Sequence, residues 1–456
     1  QYIQYPAQQN GAKGVIMVPL EKSGDYAKLL FSPYSNIPGI STGIAEGKDL
    51  IQRLKSGEKI KVKVGKGTLI DNNTKGTMSA FSSIGAPHTL DFKPEITAPG
   101  GKIYSTVMDN KYDTYSGTSM ASPHVAGAGA LVLQSLYEKG VTRGTDAIYR
   151  AKTALMNTAQ ILMDPTTESK IPYSPRKQGS GMMQIANALQ TPVLVKDKFA
   201  KPENAAAVEL KEIKQDKVKF MLEVEALAGK SSPEEITYDV YLDLLTDDTE
   251  QKELDLNRDG KIDKTMEVLK LTSKRIEGAT AKINGKDFSH TTPATFTVKK
   301  DHLQDLEVDI KLPDGLKKNI FVEGFVRFVT KNGDQTSISS LTIPYMGFYG
   351  DWDQPQNLDA PMWDKNAFLQ ETALFPYYGQ KNWLGKPAVA IGYDKADKTF
   401  AEERMSISPH AANQGLYSQF TTLRNVKKVD MYVEDATGNR VRYLGDYSDF
   451  TGTVEP

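Results

Sequence analysis

Tyr115-Ser116-Gly117-Thr118-Ser119-Met120-Ala121-Ser122-Pro123-His124-Val125-Ala126-Gly127 is the stretch whose reading decides the fold. A β-leaning segment ends in Gly-Thr-Ser, and a run of small and apolar helix formers begins at once. A hydroxyl at that junction sits at a helix N-terminus. There, free backbone N–H groups and the positive end of the helix dipole favour developing negative charge. Pro123 is read as lying in the first turn, where its missing N–H breaks no helical bond. Val125, Ala126, Ala128, Ala130, Leu131, Val132 and Leu133 make the rest apolar nearly all round, so the helix is expected to be buried. Gly117, Ala121, Gly127 and Gly129 would let other backbones approach closely. A nucleophile on a buried, rigid helix is well placed for catalysis. The plain structural alternative is a strand-to-helix junction that uses Thr118 or Ser119 as its N-cap.

The run resembles the nucleophile motif of the subtilisin-like serine proteases, and it matches from Gly117 to Gly127 without a departure. The resemblance implies that Ser119 attacks a scissile carbonyl. Its own backbone N–H would be one oxyanion donor, with Gly117 and Thr118 supporting the turn. His124 lies too near on the same helix to face Ser119 as its base, and it is read as a packed structural histidine.

At 456 residues the chain is too long for one ordinary core, and two to four domains are expected. A hydrophobic fraction of 39% with 25% charged residues describes a globular protein. The net charge of −1 gives no reason to invoke nucleic acid, and no apolar run is long enough to span a bilayer. With no cysteine, a disulfide framework, a thiol nucleophile and a Cys-ligated zinc site are excluded. That usage fits a secreted bacterial protein. Gln1 follows no secretory signal, which reads as a fragment or a processed chain.

Taken in order, residues 1–67 read as short strands and one helix. Gly14–Pro19 and Ile37–Thr42 are strand-like, Ala45–Lys55 carries Leu50, Ile51 and Leu54 at helical spacing, and Lys59–Val64 alternates as a half-exposed strand should. This order resembles the C-terminal half of a protease-associated domain, which the cell-envelope branch of the subtilisin family inserts between its catalytic His and Ser. A small unrelated α/β module is the alternative. Residues 68–192 are assigned to the C-terminal segment of the catalytic domain. Ala80–Gly85 and Lys93-Pro94-Glu95-Ile96-Thr97-Ala98-Pro99-Gly100 resemble family segments, with Glu95 where Asp is usual. Thr145–Ala159 reads as an amphipathic helix with Ile148, Ala151, Leu155 and Met156 inward. Ser174–Gly179 resembles the lactocepin-type proteinases, and Gln178-Gly179-Ser180-Gly181 the family's closing loop.

From Val193 the pattern changes to alternating runs at Lys217–Val224, Thr237–Leu245, Ala294–Val298, Leu306–Ile310, Ile320–Val329 and Ser337–Ile343. Strands at this spacing argue for an antiparallel β-sandwich over 193–350, similar to the fibronectin type III-like domain of the same branch. Residues 351–456 read as a second, truncated β-rich domain with strands at Gln419–Leu423 and Lys428–Val433. The fold class implied is multidomain: a partial doubly wound α/β catalytic segment, a protease-associated remnant and C-terminal β-sandwich domains.

Asp255, Asn257, Asp259 and Asp263 fall at positions 1, 3, 5 and 9 of a loop with Gly260 at position 6, the spacing of a calcium-binding loop. Position 12 is Met266 rather than an acid, and Glu267 comes one residue late. A polar hairpin turn accounts for the same residues. Structural calcium is therefore a candidate, while the chemistry at Ser119 needs no cofactor.

A serine nucleophile needs a general base, and the base an orienting acid. The family's Asp-x-Gly strand end and His-Gly-Thr-His helix occur nowhere here, and none of the 5 histidines sits in the expected Gly-Thr context. The resemblance thus implies a serine endopeptidase, extracellular or wall-associated in a bacterium and acting on proteins or peptides. Its Asp, His and oxyanion Asn would lie on an upstream segment or separate chain, together with the substrate-binding segments. The rival from another class is a non-catalytic surface adhesin that binds through the β-domains.

Overall fold

The computed structural model describes residues 4–18, 35–63, 76–167, 171–227, 234–254, 262, 264–331, 339–364, 366–369, 372–378, 392, 401 and 414–450. They fall into two compact units, Gln1–Phe81 and Ser82–Pro456.

In the first unit, α1 (Gln4–Gln9) precedes β1 (Val15–Met17), which pairs in parallel with β2 (Gly39–Ser41) ahead of α2 (Ile44–Lys55). Gly47 is buried in α2 because its bare Cα faces Val18 and Thr42, where a Cβ would lie 2.5 Å from their side-chain atoms. Ile51 and Leu54 are exposed. Lys59–Lys63 is not a strand, although it alternates. Alternation marks two faces, but a strand also needs a neighbour to pair with, and Val62 is 56% exposed.

The second unit begins with the hairpin β3 (Ile103–Val107) and β4 (Lys111–Tyr115). Asp109 and Asn110 turn it with positive φ, which their short polar side chains tolerate. Next come α3 (Thr118–Glu138), α4 (Thr145–Asn157), α5 (Pro175–Gln178) and α6 (Ile185–Gln190). Ala128, Val132 and Leu136 of α3 form an i, i+4 stripe that packs on Ala151, Ala154 and Leu155 of α4 and Ala188 of α6. Ile148 lies outside this core at 51% exposure. Among the described residues of this unit, no parallel sheet flanks α3, so the doubly wound sheet expected from the resemblance is not formed by them.

The β-sandwich follows in β5 (Val193–Asp197), β6 (Val208–Ile213), β7 (Lys217–Ala226), β8 (Glu235–Leu254), β9 (Lys264–Arg275), β10 (Thr280–Ile283), β11 (Lys286–Asp287), β12 (Ala294–Lys299), β13 (Leu303–Lys311), β14 (Ile320–Thr330) and β15 (Leu341–Tyr349). One sheet has the order β11-β10-β13-β7-β5 and the other β12-β8-β14-β15-β6, with β9 also on β8. Every pairing is antiparallel except β15 with β6, which is parallel and bulged at Met346/Gly347. Val218, Phe220, Leu222 and Val224 of β7 alternate inward to meet Val322, Val326, Ile343 and Tyr345.

β15 is buried at every position because both of its faces are covered. Its outward Met346 and Phe348 join Phe321, Ala206, Ala207, Leu90, Phe92 and Met156 in a second core. This core ties the segment around α4 to the sandwich. Beyond it, β16 (Ala373–Tyr378) pairs with β17 (Gln414–Gln419), and β18 (Val426–Glu434) with β19 (Arg440–Phe450). The strand expected at Gln419–Leu423 therefore ends at Gln419. Past that point only Thr422 bridges, to Leu358. No helix among the described residues is long and apolar enough to cross a membrane.

Candidate active site

The site is built from two backbone contacts and a helix start. Gly117 donates its N–H to the carbonyl of Gly100 at 2.8 Å, and the Lys102 N–H donates to Ser116 Oγ at 2.8 Å. The end of the β3–β4 hairpin is thereby fastened to the segment that precedes it. A Cβ on Gly100 would meet the Gly117 carbonyl oxygen at 2.8 Å and the Ala121 Cβ at 3.2 Å, so only glycine allows this approach. Gly117 caps α3 in extended conformation without a side-chain bond, and Met120 N–H returns to its carbonyl at 3.0 Å. The N-cap role considered for Thr118 or Ser119 falls to Gly117, because both lie inside the helix.

Ser119 is the second residue of α3 and is exposed, as is Thr118. The N–H groups of Thr118 and Ser119 have no acceptor one turn back in the helix, so the serine oxygen sits beside them at the positive end of the dipole. Pro123 is inside the helix rather than in its first turn. Its missing N–H is the one that would have bonded the Ser119 carbonyl, four residues back.

His124 is exposed, not packed. Its Nδ1 lies 2.9 Å from the Met120 carbonyl, which can only accept, so Nδ1 carries the proton and the ring is anchored to its own helix. His302 is likewise bonded to its local backbone, Nδ1 to the Lys300 carbonyl at 2.7 Å. His290 is held below the ordinary histidine range by burial and the neighbouring Arg275. Among the described residues no histidine side chain is hydrogen-bonded to Ser119.

The expected all-round burial of α3 does not hold. Leu131 is 48% exposed, Ala126 and Ala130 are exposed, and a Cβ on Gly127 or Gly129 would meet nothing within 4 Å. Helical apolarity records what a face can be packed against, and here the Ala128–Val132–Leu136 stripe, with the half-buried Leu133 beside it, is the face packed on α4 and α6. Tyr104, Met108, Tyr112 and Tyr115 of the hairpin that leads into α3 add exposed apolar surface, with Tyr104 and Tyr112 stacked at 5.4 Å.

Asp255, Asn257, Asp259 and Asp263 lie outside the described residues. The strands on either side are antiparallel partners, with Leu254 opposite Lys264. Among the described residues no group of three or more His, Cys, Asp or Glu could hold a metal.

The anchors at Gly100 and Ser116 were not read from the sequence. A signal existed in Asp109-Asn110 between two alternating runs, which marks a hairpin and so brings residue 102 back to residue 116.

The model of the subtilase family matches residues 2–181, and that of an Fn3-like domain matches residues 208–346. The PI-type proteinase of Lactococcus lactis subsp. cremoris is 31% identical over 405 residues, 85% of this chain and 20% of that protein. The PII-type proteinase of Lacticaseibacillus paracasei gives the same identity and coverage. The C5a peptidase of Streptococcus pyogenes serotype M3 is 31% identical over 289 residues, 63% of this chain and 22% of that protein. The chain thus spans about a fifth of the length of the curated relatives it matches. With the Gly-Thr-Ser turn, the helix it starts and the sandwich behind it, these matches show that the chain belongs to the subtilase family of serine proteases, in its cell-envelope proteinase branch.

Proposed function

We propose that this chain carries the nucleophile of a secreted or wall-associated serine endopeptidase that cleaves proteins or peptides through an acyl-enzyme on Ser119. The observation that carries the reading is the exposed Ser119 in the first turn of a 21-residue helix, pinned through Gly117 to Gly100. In the proposed mechanism a histidine held by an aspartate takes the Ser119 proton, and the oxygen attacks the scissile carbonyl. The Ser119 N–H then receives the developing oxyanion, and water releases the acyl group. The 456 residues hold no Asp-x-Gly or His-Gly-Thr-His run. Asp, His and the oxyanion Asn are accordingly assigned to a segment outside them, whose sheet would cover the exposed side of α3.

Residues 1–67 are read as a protease-associated remnant, supported by the order β1, β2, α2 and by the parallel pairing of β1 with β2. The catalytic segment is placed at 68–192, the fibronectin-like sandwich at 193–350 and a further β-rich domain at 351–456. A fluorophosphonate probe applied to the full-length protein tests the reading: labelling at Ser119 is expected. An unlabelled Ser119 in folded full-length protein would favour the adhesin, which has no use for an activated serine.

A further inference from the structure

Arg176, one residue into α5, enters the sandwich. Its Nε donates to Glu323 Oε2 at 2.9 Å, and Nη2 donates to Asp247 Oδ1 at 2.5 Å and to Glu323 Oε1 at 3.2 Å. Ser174 Oγ donates to Glu323 Oε1 at 2.6 Å, and the guanidinium lies 3.8 Å from the centre of the Phe321 ring. Glu323 is fully buried on β14 and the Arg176 side chain is 7% exposed, so the group is shut off from water. A desolvated fork with three donors in use has one workable position, unlike a surface ion pair.

That position is transmitted by short contacts. Two residues past Arg176, the Gln178 side chain is fully buried. It accepts from Leu162 N–H at 2.7 Å and donates to the carbonyls of Leu162 at 3.1 Å and Tyr173 at 2.7 Å. The Gln178 carbonyl accepts from Thr97 Oγ1 at 2.7 Å, and Ser180 N–H donates to the Glu95 carbonyl at 3.0 Å. Gly179, at φ +64°, packs so closely that a Cβ would lie 2.4 Å from the Glu95 carbonyl carbon. Three residues beyond Thr97 is Gly100, whose carbonyl holds Gly117, the cap of the Ser119 helix.

We propose that Arg176, Glu323 and Asp247 are positioning residues for the nucleophile. Through them the sandwich sets the place of the closing loop, the Glu95–Gly100 segment and the Gly-Thr-Ser turn. This inference rests on the reading of Ser119 as nucleophile. It makes the Fn3-like domain part of the catalytic support and not a detachable spacer. A displacement of about 1 Å at a reacting group can cost on the order of a hundredfold in rate, so a small shift along this route is enough to be measured.

The test uses the full-length protein with Arg176→Lys, Glu323→Gln and, away from the buried charges, Thr97→Val. Peptide hydrolysis, the rate of fluorophosphonate labelling at Ser119 and the thermal midpoint are read for each. The expected result is kcat lower by about tenfold or more with KM within about twofold, and labelling slowed in parallel. Thr97→Ser, which restores the hydroxyl, should recover wild-type kcat. If the charge variants do not fold, Thr97→Val and Thr97→Ser decide alone. Wild-type kcat in folded Arg176→Lys, Glu323→Gln or Thr97→Val, whatever its midpoint, overturns the proposal and leaves the group a purely structural bolt. Failure of the probe to label the wild-type protein would instead remove the nucleophile reading beneath it.

Discussion

Asn157 donates from Nδ2 to the carbonyl of Thr342 at 3.1 Å, joining the last residue of α4 to the interior strand β15. Its Oδ1 accepts from Val195 N–H at 2.7 Å, so one buried side chain satisfies backbone groups in both sheets. Replacing Asn157 by Ala would leave an N–H and a carbonyl unpaired in the interior, at roughly 1–3 kcal/mol for each group. Urea unfolding of Asn157→Ala should show a midpoint well below wild type. A loss under about 0.5 kcal/mol, the range of a neutral surface change, would mean that the two groups find other partners.

Acid should weaken the second unit. Burial pushes Glu95 up, but Lys152 and Lys93 outweigh it and hold it below the usual carboxylate range. Glu225 is likewise pushed up by burial and held low by Lys196 and Arg150. A carboxylate whose folded pKa is depressed contributes stability that is complete above its unfolded value of 4.5 and is lost as pH falls through the folded one. Glu323 has the opposite sign: burial raises it despite Arg176, so its contribution grows as pH falls toward 4.5. Thermal midpoints taken between pH 7 and 3 should therefore fall mainly below about pH 4.5. The fall should be shallower in Glu225→Gln, and an equal slope in that variant would remove Glu225 as a source.

These buried links mark the limit of what the residues disclose by themselves. The Ser119 turn was legible because its chemistry is compressed into one contiguous run. β7 was legible because alternation is a local signal. Arg176 and Glu323 are 147 residues apart, and neither carries a local mark that it will be buried. The burial of α3 was misread because its composition shows what the helix tolerates and not what lies against it. Lys59–Lys63 was misread for the same reason, since its alternation names two faces but no pairing partner.

Ser119→Ala should abolish probe labelling and turnover in the full-length protein while the thermal midpoint stays within a few degrees. The hydroxyl carries the proposed covalent step, but the position is exposed and helical, where alanine is favourable and surface changes cost about 0.5 kcal/mol or less. Retained turnover would take the nucleophile role from Ser119.

Calcium remains a proposal for Asp255, Asn257, Asp259 and Asp263. A ion bound only to the native state at a hundred times its Kd stabilises it by about 2.7 kcal/mol, so chelation should lower the thermal midpoint. Asp259→Ala should show the lowered midpoint with or without chelator. A wild-type midpoint indifferent to chelation would identify the loop between β8 and β9 as a plain polar connection.

Residues 1–456 alone should be inactive, and the segment proposed to carry Asp and His should restore activity without a covalent join. Without a base the Ser119 oxygen stays a neutral hydroxyl, a poor nucleophile near neutral pH. Loss of the triad partners costs on the order of a million-fold in turnover, which places any residual rate below ordinary detection. The same segment answers a packing demand. The side of α3 bearing Ala126, Ala130 and the 48%-exposed Leu131 lacks a described partner, and so does the hairpin surface of Tyr104, Met108 and Tyr112. Apolar surface of that kind favours aggregation of the isolated chain. Co-expression of the two pieces should therefore raise solubility and activity together, because one docking event covers the helix and completes the site. Peptide hydrolysis by each piece and by the pair checks this. Cleavage by residues 1–456 alone that disappears with Ser119→Ala would place a catalytic base inside this chain, and the assignment of Asp and His to another segment would fall.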